Sequence, residues 1–122
     1  GDIFTDIFTS NIFNFIIVSS AVQYFSDLRN LLFRLSHFLA INGEIHIIDS
    51  PIYTEDEVSG AKKRTEEYYK SIGEPEMTDF YFHHSWKSLQ GFDYEILNKN
   101  FFKFFKMSSK VNPFPWIKII FK

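Results

Sequence analysis

The sequence predicts an α/β fold with a mixed sheet whose last strand is antiparallel, and two observations indicate it. An apolar run from Phe13 to Ser20, an amphipathic leucine-rich stretch and a β-rich run from Glu44 to Asp49 follow in the order of a βαβ unit. Two further strand-like runs, Phe92 to Leu97 and Trp116 to Phe121, end the chain with no helical pattern between them. Strands joined without a crossover helix pair antiparallel, so the final strand should oppose the others.

The βαβ unit has clear local signals. The first strand, FNFIIVSS, is apolar at successive positions, so we expect it to be buried on both faces. The helix should begin at a cap formed by Ser26 and Asp27 and end near Asn42 and Gly43. Its apolar stripe consists of Leu28, Leu31, Leu32, Leu35, Phe38 and Leu39.

A helical insertion is predicted over residues 54–92 of what we expect to be a single domain, 1–122. Thr54 and Glu57 form a capping box, and the amphipathic helix that follows should end at Gly73. Its charged face is interpreted as solvated surface. A shorter helix is expected from His84 to Leu89, and residues 99–115 should form an aromatic loop.

Composition narrows the function classes. Thirteen basic and fifteen acidic side chains give a net charge of -2, so nucleic acid and anionic membranes are not expected partners. Cysteine is absent, which fits a reducing cytoplasm and excludes disulfides and thiolate chemistry. No apolar run approaches the roughly 20 residues of a membrane span. We therefore expect a cytoplasmic protein.

A longer stretch carries a family resemblance. From Phe13 to Tyr53 the sequence reads FNFIIVSSAVQYFSDLRNLLFRLSHFLAINGEIHIIDSPIY. This text resembles the fourth strand, the following helix and the fifth strand of class I S-adenosylmethionine-dependent methyltransferases. The resemblance implies the C-terminal half of a Rossmann-like, three-layer sandwich, whose last strand is inserted antiparallel between the fifth and sixth strands. Residues 54–92 would then be the substrate-side insertion.

The donor-binding half of that family has no counterpart here. Members hold S-adenosylmethionine with a Gly-rich loop after the first strand and an acid at the end of the second. The glycines of this chain stand singly, at Gly1, Gly43, Gly60, Gly73 and Gly91. We therefore expect a piece of a longer methyltransferase that binds the cofactor only in the complete protein. The first residue, Gly1 rather than Met, agrees with that expectation.

The resemblance implies a few donor contacts. Asp2 matches the acid that meets the adenine amino group, with a frayed terminus as the alternative. Ser19, Ser20 and Ala21 follow the first strand, where ligands collect in open α/β sheets. The alternative for the serines is a turn that satisfies its own backbone.

Acceptor contacts are expected on neighbouring segments. Gln23 and Tyr24 could shape the pocket around the transferred methyl group, although Tyr24 could instead cover the core. Asp49 could orient the substrate or cap the segment after it. Tyr53 and Trp86 are candidates for the substrate wall.

The histidines divide into two groups. His37 and His46 lie inside a predicted helix and strand and are interpreted as structural. His83 and His84 belong to the insertion, so either could be the catalytic base. Adjacent histidines share no face and no H-E-x-x-H pattern surrounds them, so no metal site is predicted.

Three interpretations stay open. The preferred one is a fragment of a methyltransferase that acts by direct displacement on a small molecule, with a protein substrate as a further possibility. The others are a non-enzymatic interaction or dimerisation domain without a donor site, and an unrelated α/β binding domain. Without the first strands, the Phe13 to Ser20 strand becomes an apolar edge. We expect that edge to pair with the missing N-terminal half or with a second copy.

Overall fold

The computed structural model describes residues 3–4, 10–98 and 114–121, which contain four strands and two α-helices. In chain order these are β1 (Phe13–Ser19), α1 (Leu28–Ser36), β2 (Leu39–Ile48), α2 (Glu55–Ser71), β3 (Asp93–Ile96) and β4 (Ile117–Ile120). Short 3-10 helices lie at Val22–Tyr24, Pro75–Phe80 and Trp86–Leu89. In this described part, no helix has the length and apolar character needed to cross a membrane.

The four strands form one sheet in the order β1-β2-β4-β3. β1 and β2 are parallel, and β4 is antiparallel to both β2 and β3. The first three strands therefore point the same way, and the last strand lies between the second and the third. The predicted α/β class and the mixed sheet with an antiparallel last strand are confirmed.

Helix α1 begins as predicted but ends earlier. The Asp27 carboxylate caps the helix by accepting from the backbone N–H of Asn30 at 3.0 Å. The helix ends at Ser36, so the predicted end near Asn42 and Gly43 is wrong. Phe38 and Leu39 are buried through strand pairing instead, because the Phe38 carbonyl accepts from the backbone N–H of Phe13 at 2.9 Å and Leu39 pairs with Phe13.

The core lies between α1 and one face of the sheet. Ile45 and Ile47 of β2 are completely buried there, opposite a stripe of leucines from α1. That stripe consists of Leu28, Leu31, Leu32 and Leu35. Val18, Ile117 and Ile119 complete the same face, since they are register partners or neighbours of the two isoleucines. Each fully buried aliphatic side chain stabilises the fold by about 1.5–3 kcal/mol.

The opposite face of the sheet, here called the open face, carries large exposed side chains. Phe15 and Ile17 of β1 are each 64% exposed, and in the described strand Val18 alone is buried. The prediction that this strand is buried on both faces is therefore wrong for the described chain. β1 lies at the edge of the sheet, and no described helix covers its open side. An apolar strand in this position is typical of a sheet that another layer or chain covers.

His46 lies on the open face and is held by two neighbours. The indole N–H of Trp116 donates to His46 Nδ1 at 2.8 Å. Nε2 is therefore the nitrogen that donates to the Glu44 carboxylate, at 2.9 Å. Both ring nitrogens are engaged, which agrees with the structural interpretation of this histidine.

The insertion contains one long helix and little other regular structure. The predicted capping box of α2 is present, with the Thr54 N–H donating to the Glu57 carboxylate at 3.1 Å. The predicted helix from His84 to Leu89 is reduced to a 3-10 helix that begins at Trp86. His84 and Ser85 are extended instead, because the Tyr53 N–H donates to the His84 carbonyl. Most of the predicted loop at 99–115 lies outside the described residues.

Gly43 provides a test of the close packing within β2, where the chain folds back on Leu39 and Ala40. A Cβ atom at Gly43 would lie 2.9 Å from the Ala40 carbonyl oxygen and 2.9 Å from Leu39 Cδ2. We expect Gly43→Ala to lower the free energy of unfolding by about 1–3 kcal/mol through overpacking. Gly60→Ala is the control, since its Cβ would meet at 3.4 Å only the flexible end of Arg64. In helix α2 that change should stabilise by about 0.5–1 kcal/mol. Urea unfolding measures both, and equal effects would contradict the packing described.

Candidate functional site

The carboxyl ends of β1 and β2 meet in a network of polar groups, here called the strand-end network: Ser19, Ser20 and Asp49. The Ser20 hydroxyl donates to the Asp49 carbonyl at 3.1 Å, and the Ser19 hydroxyl donates to the Asp49 carboxylate at 3.4 Å. All three residues are exposed. Ser19 and Ser20, which are predicted to contact the methyl donor, therefore lie beside Asp49, which is predicted to contact the methyl acceptor. The three residues meet at the sheet edge where α/β proteins bind ligands.

Both strand ends have unusual backbone conformations. Ser20 has a φ of 52° and Asp49 a φ of 53°, in the left-handed region that non-glycine residues seldom adopt. The hydrogen bond from the Ser20 hydroxyl to the Asp49 carbonyl joins the two turns. Backbone strain of this kind concentrates at ligand sites, where it aims side chains and N–H groups outward.

Ala21 and Gln23 continue the site beyond β1. The Gln23 amide donates to the Ser20 carbonyl at 2.9 Å, which fixes its side chain against the strand-end network. Its Oε1 atom is buried and has no hydrogen-bond partner among the described residues. Ala21 precedes the 3-10 helix and packs partly against the core. These positions agree with the predicted placement beside the network.

Five aromatic side chains form a second feature, here called the tyrosine–histidine cluster: Tyr24, Tyr53, Tyr69, Tyr81 and His83. Tyr81 is central, with ring centroids 5.0 Å from His83, 6.0 Å from Tyr24 and 6.4 Å from Tyr69. Tyr53 joins through His83 at 5.6 Å. Tyr24 is exposed and the other four are partly buried, so the cluster is open to solvent.

Backbone contacts hold the cluster beside the end of β1. The Phe82 N–H donates to the Gln23 carbonyl at 2.7 Å. The His84 imidazole donates from Nε2 to the Val22 carbonyl at 2.8 Å. Residues 81–84 are therefore attached to the 3-10 helix that follows β1, which sets Tyr81 and His83 next to Tyr24.

The two candidate bases have different environments. His84 is buried and its Nε2 is committed to Val22, which is a structural role. His83 Nε2 lies 2.8 Å from the Thr65 hydroxyl, whereas Nδ1 has no hydrogen-bond partner within the described ranges. Burial lowers the pKa of His83, and Lys62, His84 and Arg64 lower it further. In the tautomer whose Nε2–H donates to the Thr65 hydroxyl, Nδ1 can accept a proton.

Two tyrosine hydroxyls of the cluster, those of Tyr53 and Tyr81, have raised pKa values and therefore act as hydrogen-bond donors. Burial raises the pKa of Tyr53, an effect that Arg64 partly offsets. Burial also raises the pKa of Tyr81, and the neighbouring hydroxyls of Tyr53, Tyr24 and Tyr69 raise it further. The ring contacts of Tyr81 with Tyr24 and Tyr69 bring three of these phenols together. The cluster therefore combines aromatic walls with several hydroxyl donors.

The remaining predicted residues divide between the site and other places. Trp86 stacks on Tyr94 at 6.1 Å and packs against the core, so it does not join the cluster. Asp2 lies outside the described residues. Thr65 and Tyr81 were not among the predicted site residues. Tyr81 is two positions before His83 in an extended segment, so alternation could have placed both on one side.

A separate cavity of about 260 Å³ lies at the other end of the sheet. Its lining includes Arg29, Phe92, Asp93 and Ile120, at the amino ends of the parallel strands. Arg29 is already engaged there, since it donates to the Ser88 and Gln90 carbonyls and lies over the Phe92 ring. In the described ranges, no group of three or more histidine and acidic residues is placed to hold a metal ion.

No protein-family model matches the sequence, and no curated protein is significantly similar to it.

The lowered pKa of His83 predicts a pH dependence of stability. The ordinary value is 6.5, and the folded value lies below it. The unfolded state binds more protons between the two values, so this contribution to stability is complete above 6.5 and is lost as pH falls through the folded pKa. When the pH falls from about 7.5 to about 5, we expect the free energy of unfolding to decrease less for His83→Gln than for the unaltered chain.

Urea unfolding at the two pH values measures that difference, and a histidine NMR titration locates the pKa directly. His37→Gln is the control, because His37 is exposed beyond the end of α1. A His83 pKa above 6.5 would contradict the described burial.

Proposed function

We propose that this chain is the C-terminal part of a class I S-adenosylmethionine-dependent methyltransferase. In the complete protein it would help to transfer a methyl group to a small molecule by direct displacement. The strand order carries this proposal, because the last strand runs antiparallel between β2 and β3. The family resemblance of residues 13–53 implies that arrangement. A cytoplasmic location, favoured by the absence of cysteine, is part of the proposal.

The open face of the sheet supports the proposal. Phe15 and Ile17 project from it, and Trp116 is 44% exposed on the same side. A three-layer sandwich would cover this face with helices from the preceding half of the protein. In such a sheet, β1 is expected to carry apolar side chains on both of its faces. Exposing these side chains to water costs free energy.

The carboxyl ends of β1 and β2 support an acceptor site. The strand-end network and the tyrosine–histidine cluster are linked there through Gln23, which donates to Ser20 and accepts from Phe82. This chain's own residues would bind and orient the acceptor and receive a proton at Nδ1 of His83. The net charge of -2 favours a small molecule over a nucleic acid. A protein acceptor is compatible with the same geometry.

The residues present do not complete a donor site. Among the described glycines, Gly43 packs against Leu39 and Ala40, and Gly60 lies inside α2. Gly73 follows the end of α2, and Gly91 lines the cavity beside Arg29 and Phe92. None of them brings backbone close to a ligand at the strand-end network. We therefore assign the donor's main contacts to the part of the enzyme that precedes this chain.

The first test is binding of S-adenosylmethionine to the 122-residue chain. We expect affinity weaker than about 1 mM and no methyl transfer, because several polar contacts worth about 0.5–3 kcal/mol each are absent. Isothermal titration calorimetry measures this. A tight one-to-one heat signal would contradict the assignment. As the matched experiment, a protein extended with the upstream reading frame should bind S-adenosylmethionine and transfer its methyl group.

A second candidate function is a non-enzymatic interaction or dimerisation domain. The exposed edge at β1 favours it, since Phe15 and Ile17 offer an apolar strand for pairing with another chain. The partner would be the missing N-terminal half or a second copy. In the first case the edge completes an enzyme, and in the second it completes a homodimer.

The assembly state of the isolated chain tests the edge. We expect a homodimer or larger assembly by light scattering, because the apolar strand would be covered by its own copy. Ile17→Lys should shift the population to monomer, since a charged edge strand resists pairing. Ile72→Lys is the control, because Ile72 is a half-exposed isoleucine at the end of α2. A monomer at high concentration, or equal effects of the two variants, would contradict this role.

A further inference from the structure

We infer that the tyrosine–histidine cluster binds a planar aromatic acid, whose carboxylate or acidic hydroxyl lies among the tyrosine hydroxyls and the His83 imidazole. This inference rests on the proposed function in naming that ligand as the methyl acceptor. Binding itself requires only this chain, because every member of the cluster belongs to it.

The rings provide the aromatic walls. Tyr24 and Tyr81 meet edge to face at 83°, and Tyr81 and His83 are tilted by 51°. Tyr24 is 57% exposed, so the wall is open where it approaches the strand-end network. Partly buried aromatic rings at such angles can accept another ring in stacked or edge contact. An exposed ring beside several partly buried ones offers apolar surface of the kind found at binding sites.

The surrounding charges favour an acid over an amine. Arg64 acts on both Tyr53 and His83, and Lys62 acts on His83. The acidic group that acts on Tyr53 is Glu57, whose carboxylate is already bound by the Thr54 N–H and hydroxyl. The charged side chains that act on these two groups are thus two cations, Arg64 and Lys62, and one anion, Glu57. This balance favours an oxygen anion over an ammonium group.

The hydrogen-bonding groups of the cluster also favour an aromatic acid as the ligand. The tyrosine hydroxyls can donate to a carboxylate, and each protonated hydroxyl does so in a charge-assisted bond. Nδ1 of His83 has no described partner and can accept the proton of a phenol. Thr65 holds the other ring nitrogen, so the imidazole is oriented before a ligand binds. A carboxylate can accept from several of these hydroxyls at once, whereas an ammonium group has donors only.

Two matched probes test the charge preference. The 122-residue chain is titrated with 4-hydroxybenzoate and with tyramine, which has the same phenol but a cationic side chain. We expect 4-hydroxybenzoate to bind in the millimolar range or tighter, and at least about tenfold more tightly than tyramine. Chemical-shift changes in two-dimensional NMR spectra should fall on the segments around Tyr53, Thr65 and Tyr81.

Conservative variants test the assigned groups. Tyr81→Phe keeps the ring and removes one hydroxyl, and Arg64→Gln removes one cation. Each should weaken 4-hydroxybenzoate binding by about fivefold or more, the size of one lost polar contact. Tyr94→Phe is the control, because Tyr94 loses the same hydroxyl while lying against Trp86, outside the cluster. Circular dichroism establishes that all three variants are folded.

The inference is overturned by tyramine binding as tightly as 4-hydroxybenzoate, or by no binding of either probe. Shift changes confined to the Arg29 and Phe92 cavity would overturn it equally. The proposed function fails separately, if the extended protein shows no methyl transfer while 4-hydroxybenzoate still binds to this chain. Conversely, methyl transfer by the extended protein without binding of the aromatic acid would remove this inference alone.

Discussion

Burial of Ile45 and Ile47 against α1 is the constraint on which the rest of the structure depends. Both side chains are inaccessible to solvent, and their partners in β1 are Ile16 and Val18. A shift of β2 by one residue would turn both isoleucines to the other face, so the register is strongly specified. In this register the ends of β1 and β2 lie side by side, and Ser20 can bond to the residue after β2. The strand-end network is therefore a consequence of core packing.

The same register determines what the sheet exposes. With Val18 turned to the core, Phe15 and Ile17 must project on the open face, because side chains alternate along a strand. On β2 the equivalent position is His46, where Trp116 and Glu44 satisfy the polar ring. The polar side chains on the β2 part of the open face are thus hydrogen-bonded to one another. The apolar half at β1 is uncovered within the described residues, and both proposed functions would cover it with another layer or another chain.

Local patterns predicted the elements well and their surroundings less well. The cap at Asp27, the capping box at Thr54 and the alternation of the strands are short-range signals, and each marks an element that the structure contains. The leucine stripe runs without interruption into Phe38 and Leu39, so periodicity alone extended α1 too far. Their burial comes from pairing with β1, which a helical pattern cannot reveal. Similarly, an apolar strand indicates burial on both faces without indicating which chain provides the second layer.

The candidate site could be predicted only where topology determines it. The adjacency of Ser19, Ser20 and Asp49 follows from two parallel strands. The difference between His83 and His84 does not, since it depends on contacts with Thr65 and Val22 that are distant in sequence. Sequence reasoning could therefore name the pair of histidines but could not assign their roles.

The acceptor and donor sides of the proposed enzyme differ in how they are built. The tyrosine–histidine cluster is held by contacts within residues 53–84 and by the carbonyls of Val22 and Gln23, all of which this chain provides. The donor side requires backbone that approaches the strand-end network, and the described glycines are used elsewhere. On the proposed function, the acceptor site would form without a further layer, whereas methyl transfer would depend on a layer that covers the open face. On this proposal, covering Phe15 and Ile17 and completing the donor site are the same event, because both depend on the segment that docks beside β1.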